Sequence, residues 1–129
     1  MSDKTVVQRL FIKPGCKFLL VNAPRAYQVQ KGELPKGASV VSKTDSPVDL
    51  IQVFVANRQE LEAQLPKLKK WLTPQGSLWV SYYKGTARIK TDINRDTIYA
   101  YAQTIGLQGV AMISLDEDWS ALRLKLIEK

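Results

Sequence analysis

Residues 49–82 read DLIQVFVANRQELEAQLPKLKKWLTPQGSLWVSY, and this stretch decides the fold. Residues 50–55 form a short apolar run, rich in β-branched side chains and Phe, that predicts a buried strand. Asn57 follows as an N-cap, with Glu60 three residues on as in a capping box. Leu61, Leu65, Leu68 and Leu72 recur at spacings of 4, 3 and 4, which lines one face of a helix. Glu60 and Glu62 stand early and Lys67, Lys69 and Lys70 late, the order that the helix dipole favours. Pro66 is discordant, and predicts a kink or a split at that position. Thr73-Pro74-Gln75-Gly76 reads as the end of the helix, and residues 77–82 as the next strand.

The pattern extends both ways. Toward the amino terminus, residues 17–21 (KFLLV) predict a buried strand between Pro14-Gly15 and Asn22-Ala23-Pro24. Residues 25–37 carry Gly32, Pro35 and Gly37 and read as loop, with at most one helical turn near Tyr27. Val40-Val41 supports a brief strand, and Ser46-Pro47 a turn. Toward the carboxyl terminus, residues 83–93 form a basic loop. Asn94 then caps a helix through Thr104 that turns Ile98, Tyr101, Ala102 and Ile105 inward, and Gly106 ends it. Residues 108–115 and 121–127 predict two strands, and the link between them is short enough only for an antiparallel hairpin. Strands alternating with helices imply an α/β domain with a mostly parallel sheet, closed by that hairpin.

The chain has 129 residues, enough for one domain and too few for two, so residues 1–129 are expected to form a single unit with a flexible segment at about 1–8. There is no histidine and only one cysteine, Cys16. Catalysis by Ser-His or Cys-His pairs, an internal disulfide and zinc sites built from both residue types are therefore excluded. Cys16 reads as a small packing residue. No run is long and apolar enough for a membrane helix, and the amino terminus is not an apolar leader, so the expectation is a cytoplasmic protein. Nineteen Lys and Arg against twelve Asp and Glu give a net charge of +7, which favours anionic partners.

Most of the chain resembles a shortened class I methyltransferase, a Rossmann-like three-layer fold. The resemblance rests on residues 48–85, where a strand beginning Asp49-Leu50-Ile51 leads through an amphipathic helix and Leu72-Thr73-Pro74-Gln75-Gly76 to another strand. It rests also on the helix and hairpin that close the chain at residues 106–126. Such enzymes follow their first strand with an acidic residue and a glycine-rich loop that lets the backbone approach the cofactor. Here that strand exits into Asn22-Ala23-Pro24-Arg25-Ala26-Tyr27, with neither. The acidic residue that would hold a ribose has only Asp45 as a candidate. The resemblance without its loop implies that no S-adenosylmethionine is bound. The chain is also similar to a family of short bacterial proteins catalogued as a domain of unknown function, through Lys13-Pro14-Gly15, Asn22-Ala23-Pro24, residues 49–52 and 78–82, Lys90-Thr91-Asp92, Arg95-Asp96 and residues 119–123. That likeness carries no catalytic residue with it.

In open parallel sheets, ligands sit outside the carboxyl ends of the strands. The basic loop leaves such an end, and it holds Tyr83, Lys84, Arg88, Lys90, Thr91, Asp92 and Arg95, with Asn22 and Arg25 expected across the cleft. Cations, a stacking ring and the free amides of a helix start make a candidate anion site. The plainer reading is a solvated loop in which Asp92 and Asp96 pair with Arg95 and Lys90. Asp116, Glu117 and Asp118 read as a solvated hairpin tip rather than a metal site, and Trp71, Trp79 and Trp119 as packing residues. The expected function is a binding module without catalysis or cofactor that recognises an anionic small molecule or an acidic protein surface. The alternatives are a divergent small-molecule transferase and a weak nucleic-acid binder.

Overall fold

The computed structural model describes residues 17–22, 39–41, 46–84, 91–114 and 119–127 of the chain. In order, the elements are β1 (Lys17–Val21), β2 (Ser39–Val41), β3 (Val48–Phe54), α1 (Arg58–Lys69), β4 (Leu72–Tyr83), α2 (Arg95–Thr104), β5 (Leu107–Ser114) and β6 (Trp119–Leu126). They form one six-stranded mixed sheet in the order β2-β1-β3-β4-β6-β5. β2, β1, β3 and β4 are mutually parallel, and β6 runs antiparallel to both its neighbours, the short hairpin link requiring this of β5. The strand order reverses between β1 and β3, so their carboxyl ends flank the crevice where doubly wound sheets hold ligands.

Both helices pack on one face of the sheet. Leu61, Leu65 and Leu68 of α1 and Ile98 and Ala102 of α2 join Ile51, Val53, Leu78, Val80, Leu122 and Leu124 in a single buried cluster. Each of the Leu, Ile and Val side chains among them contributes about 1.5–3 kcal/mol of burial free energy. The opposite face buries Phe18, Gln52, Phe54, Trp79 and Ser81, and Gln52 donates to the Ser81 hydroxyl at 2.9 Å. The expected third layer lies outside the described residues, as do residues 1–8, the segment 23–38 and Cys16.

The helix starts follow the sequence. Asn57 accepts from the Glu60 amide at 2.9 Å, while the Glu60 carboxylate turns back to the Ala56 amide at 2.6 Å. Asn94 accepts from the Thr97 amide at 2.9 Å. Gly106 takes φ +85° just past the end of α2, the left-handed conformation that favours glycine there.

Two expectations need correction. Of the kink or split expected at Pro66, the split is absent, because α1 runs unbroken from Arg58 to Lys69. And Thr73-Pro74-Gln75-Gly76 is not the turn that ends the helix. β4 already begins at Leu72, paired with Val48, and the next partners are Leu50 and Ser77. The four residues are thus an excursion inside a strand. Gly76 is needed in it, since a Cβ there would lie 2.9 Å from the Asp49 carbonyl oxygen.

Candidate functional site

The carboxyl ends of the parallel strands gather most of the described candidate residues, but not into one constellation. At the end of β1, Asn22 is exposed and adopts φ 59°, a left-handed conformation that Asn tolerates and most residues resist. β1 is thus followed by a left-handed residue, a conformation that glycine adopts without penalty.

At the end of β3, Thr91 and Asp92 are drawn down onto the start of α1. The Thr91 hydroxyl donates to the Ala56 carbonyl at 2.5 Å, and the Asp92 carboxylate accepts the Arg58 amide at 2.8 Å. Asp92, Asn57 and Glu60 together occupy the amino-terminal turn of α1 with side-chain acceptors. Here the carboxylate satisfies a helix amide and the positive end of the helix dipole. Arg58 pairs with Glu62 at 2.7 Å, and this carboxylate holds its guanidinium above the ordinary arginine value.

Tyr83 faces the other side of the sheet. Its ring stacks on Trp119 at 4.1 Å and 27°, and Trp119 meets Phe54 edge-on at 4.9 Å. Trp119 is thus a packing residue, as expected, and it covers one face of Tyr83.

Lys84 and Arg95 come together. With Tyr82, Asn94, Asp96, Met112 and Ser120 they line a shallow, open depression of about 380 Å3, beside the carboxyl ends of β4 and β5 and the first turn of α2. Lys84 Nζ donates to the Ser114 hydroxyl at 2.6 Å, and Arg95 Nε lies 3.5 Å from the Asp96 carboxylate. Both members of the Arg95–Asp96 pair are exposed, so it contributes little and opens readily. Asn94 takes the Thr97 amide and its own carbonyl takes the Ile98 amide. The amides of Arg95 and Asp96 have no acceptor among the described residues, and as first-turn amides they can meet an anion. Tyr82 points its hydroxyl at the Met112 sulfur, 3.4 Å away, a weak acceptor that a better one would displace. Burial raises the Tyr82 hydroxyl above the usual tyrosine value, Arg95 opposes that shift and Asp96 adds to it.

Arg25, Arg88 and Lys90 lie outside the described residues, as do Asp45 and the acidic run 116–118. Among the described residues there is no group of three metal-ligating side chains, and no helix long and apolar enough to cross a membrane. Met112 and Ser120 were not legible as site residues. Tyr82 and Ser120 become neighbours only through the pairing of β4 with β6, and Met112 through that of β5 with β6.

No protein-family model matches the chain, and no curated protein matches it by sequence. Solved structures do match. A ribosomal protein L11 methylase from Lactobacillus delbrueckii subsp. bulgaricus aligns over 95% of this chain and 75% of its own, with a TM-score of 0.58 and 14% identity. DhpI in complex with SAH aligns over 96% and 83%, with a TM-score of 0.60 and 10% identity. A SAM-dependent methyltransferase from Aquifex aeolicus aligns over 96% and 91%, with a TM-score of 0.58 and 12% identity. At these identities the likeness is one of architecture, and it establishes that the chain has a methyltransferase-like α/β fold.

Proposed function

We propose that this chain is a binding module of methyltransferase-like fold that recognises an anionic small molecule, or an acidic group on a partner, without catalysing a reaction. The observation that carries the reading is the meeting of Lys84 and Arg95 with the first turn of α2 in one depression. Two cations beside oriented amides favour a phosphate or carboxylate. Asn22 and Arg25, and Arg88 and Lys90 from the basic loop, are proposed to extend this anion-binding surface. The Thr91 and Asp92 side chains are assigned to holding that loop against α1 rather than to the ligand.

A divergent small-molecule transferase is the second reading. The similar structures include a methylase and a SAM-dependent methyltransferase, and the left-handed Asn22 supplies a glycine-like conformation after β1. Against it stand Pro24, which lacks an amide donor, and the bulk of Arg25 where the resemblance implies glycine. A thermal-shift screen against nucleotides, acyl-coenzyme A, S-adenosylmethionine and oligonucleotides separates the readings. Stabilisation by a small anion alone supports the module. Stabilisation by S-adenosylmethionine supports the transferase. A response to oligonucleotides with steep salt dependence supports nucleic-acid binding instead.

A further inference from the structure

Residues 97–115, TIYAYAQTIGLQGVAMISL, are nineteen consecutive positions without a charge, in a chain where 24% of residues are charged. They span most of α2 and all of β5, and β5 is the last strand of the sheet. The large hydrophobic side chains that stand exposed among the described residues all belong to this edge. Val110 and Met112 are on β5, at 46% and 49% exposure. Tyr99, at 37%, sits on α2 with its hydroxyl on the Gly109 carbonyl. Ile127, at 39%, donates its amide to Gly106, just before β5. Charges stand at the ends of the strip and one strand inward: Lys84 at Ser114, and Arg123 and Lys125 on β6.

We propose that this α2–β5 edge is a self-association surface, occupied by the same edge of a second copy of the chain. An uncharged apolar edge strand invites another chain. The charge pattern selects the occupant. An acidic partner would seek the cationic faces of a chain with net charge +7 and gain nothing here. Two copies, which repel through most of their surfaces, can approach where neither carries charge. An antiparallel twofold arrangement about Ala111 sets Val110 of one copy beside Met112 of the other.

The same edge also limits the contact. β5 has a bulge at Val110, between the pairs Gly109–Leu124 and Ala111–Arg123, and Tyr99 occupies the Gly109 carbonyl. Bulges and occupied backbone groups block strand addition. Contact therefore runs through side chains, Val110 and Met112 above all, rather than through a continuous backbone ladder. A stable interface covers roughly 800 Å2 of each partner, and one short strand with one helix face reaches that at most, so the dimer forms at high protein concentration. The strip adjoins the anion site, since Met112 lines that depression, but the inference does not rest on anion binding.

Sedimentation equilibrium of the full chain over a wide concentration range tests it, with hydrogen exchange at both extremes. The expected result is a mass rising toward twice that of the chain, with amide protection in residues 107–114 rising in step. Val110→Lys with Met112→Lys should hold the chain monomeric at every concentration, while Gln75→Lys, exposed in the β4 excursion, leaves the dimer intact. Should the lysine pair impair folding, Val110→Thr with Met112→Thr should weaken the dimer about tenfold without adding charge. A parent that stays monomeric throughout, a dimer that ignores both double variants, or protection that rises elsewhere and not in β5 would overturn the proposal.

Discussion

The Tyr101 hydroxyl donates to the main-chain carbonyl of Glu62 at 3.4 Å, and Glu62 is the residue four positions before Pro66. An ordinary residue at 66 would give its amide to that carbonyl, and proline has none to give. A side chain from α2 thus meets the acceptor that proline leaves open in α1, and the helix continues instead of splitting. Replacing Pro66 with Ala should restore the internal bond and stabilise the fold by about 1–2 kcal/mol, less than the full interior-proline penalty because the unfolded chain gains freedom. Tyr101→Phe should cost about 0.5–1 kcal/mol in the parent and less in the Pro66→Ala background. Urea denaturation of the four proteins reads this coupling directly. Equal costs in both backgrounds would show that the hydroxyl does not serve that carbonyl.

Asp92→Ala should destabilise the protein by about 1 kcal/mol, since it removes an acceptor and a negative charge from the first turn of α1. The same change should leave anion binding within a factor of two of the parent. A large loss of binding with unchanged stability would return Asp92 to the ligand site.

Asn22→Gly should be close to neutral, and Asn22→Val should cost about 1–2 kcal/mol, because φ 59° penalises a β-branched side chain. Thermal melts of the two variants decide it. A tolerated valine would mean that the turn after β1 relaxes freely.

Tyr82 titrates above the usual tyrosine value of 10.0, chiefly through burial. Folding therefore favours its protonated form. The stability this brings is fully present below pH 10 and is lost as pH climbs above it, when the unfolded chain releases a proton that the folded chain retains. Arg95 opposes the upward shift. Arg95→Ala should accordingly move the phenolate absorbance of Tyr82 to still higher pH, with Tyr82→Phe identifying the band. A downward move would place Arg95 away from the depression.

The elements set by local chemistry were legible in the sequence. Asn57 and Asn94 cap their helices, Gly106 ends the second, and the strands at residues 17–21 and 50–54 form where apolar runs meet turn residues. What escaped depends on partners distant in sequence. Thr73-Pro74-Gln75-Gly76 looks like a helix stop until Leu72 is seen paired with Val48. Pro66 looks like a break until Tyr101 is seen beside Glu62. The candidate site divides for the same reason. A basic loop can be read along the chain, but the pull of Arg58 on Asp92 across 34 positions, and the stacking of Tyr83 on Trp119, arise only when strands and helices pack.

The central claim is that Lys84 and Arg95 bind an anion at the start of α2. Calorimetric titration of inorganic pyrophosphate into the parent and into Lys84→Ala with Arg95→Ala tests it most directly. Circular dichroism should confirm that both proteins are folded, because exposed charges contribute under about 0.5 kcal/mol each. The account predicts saturable binding to the parent, weakened at least tenfold in the double variant. Equal affinity in the two proteins, or no binding to the parent, would contradict it.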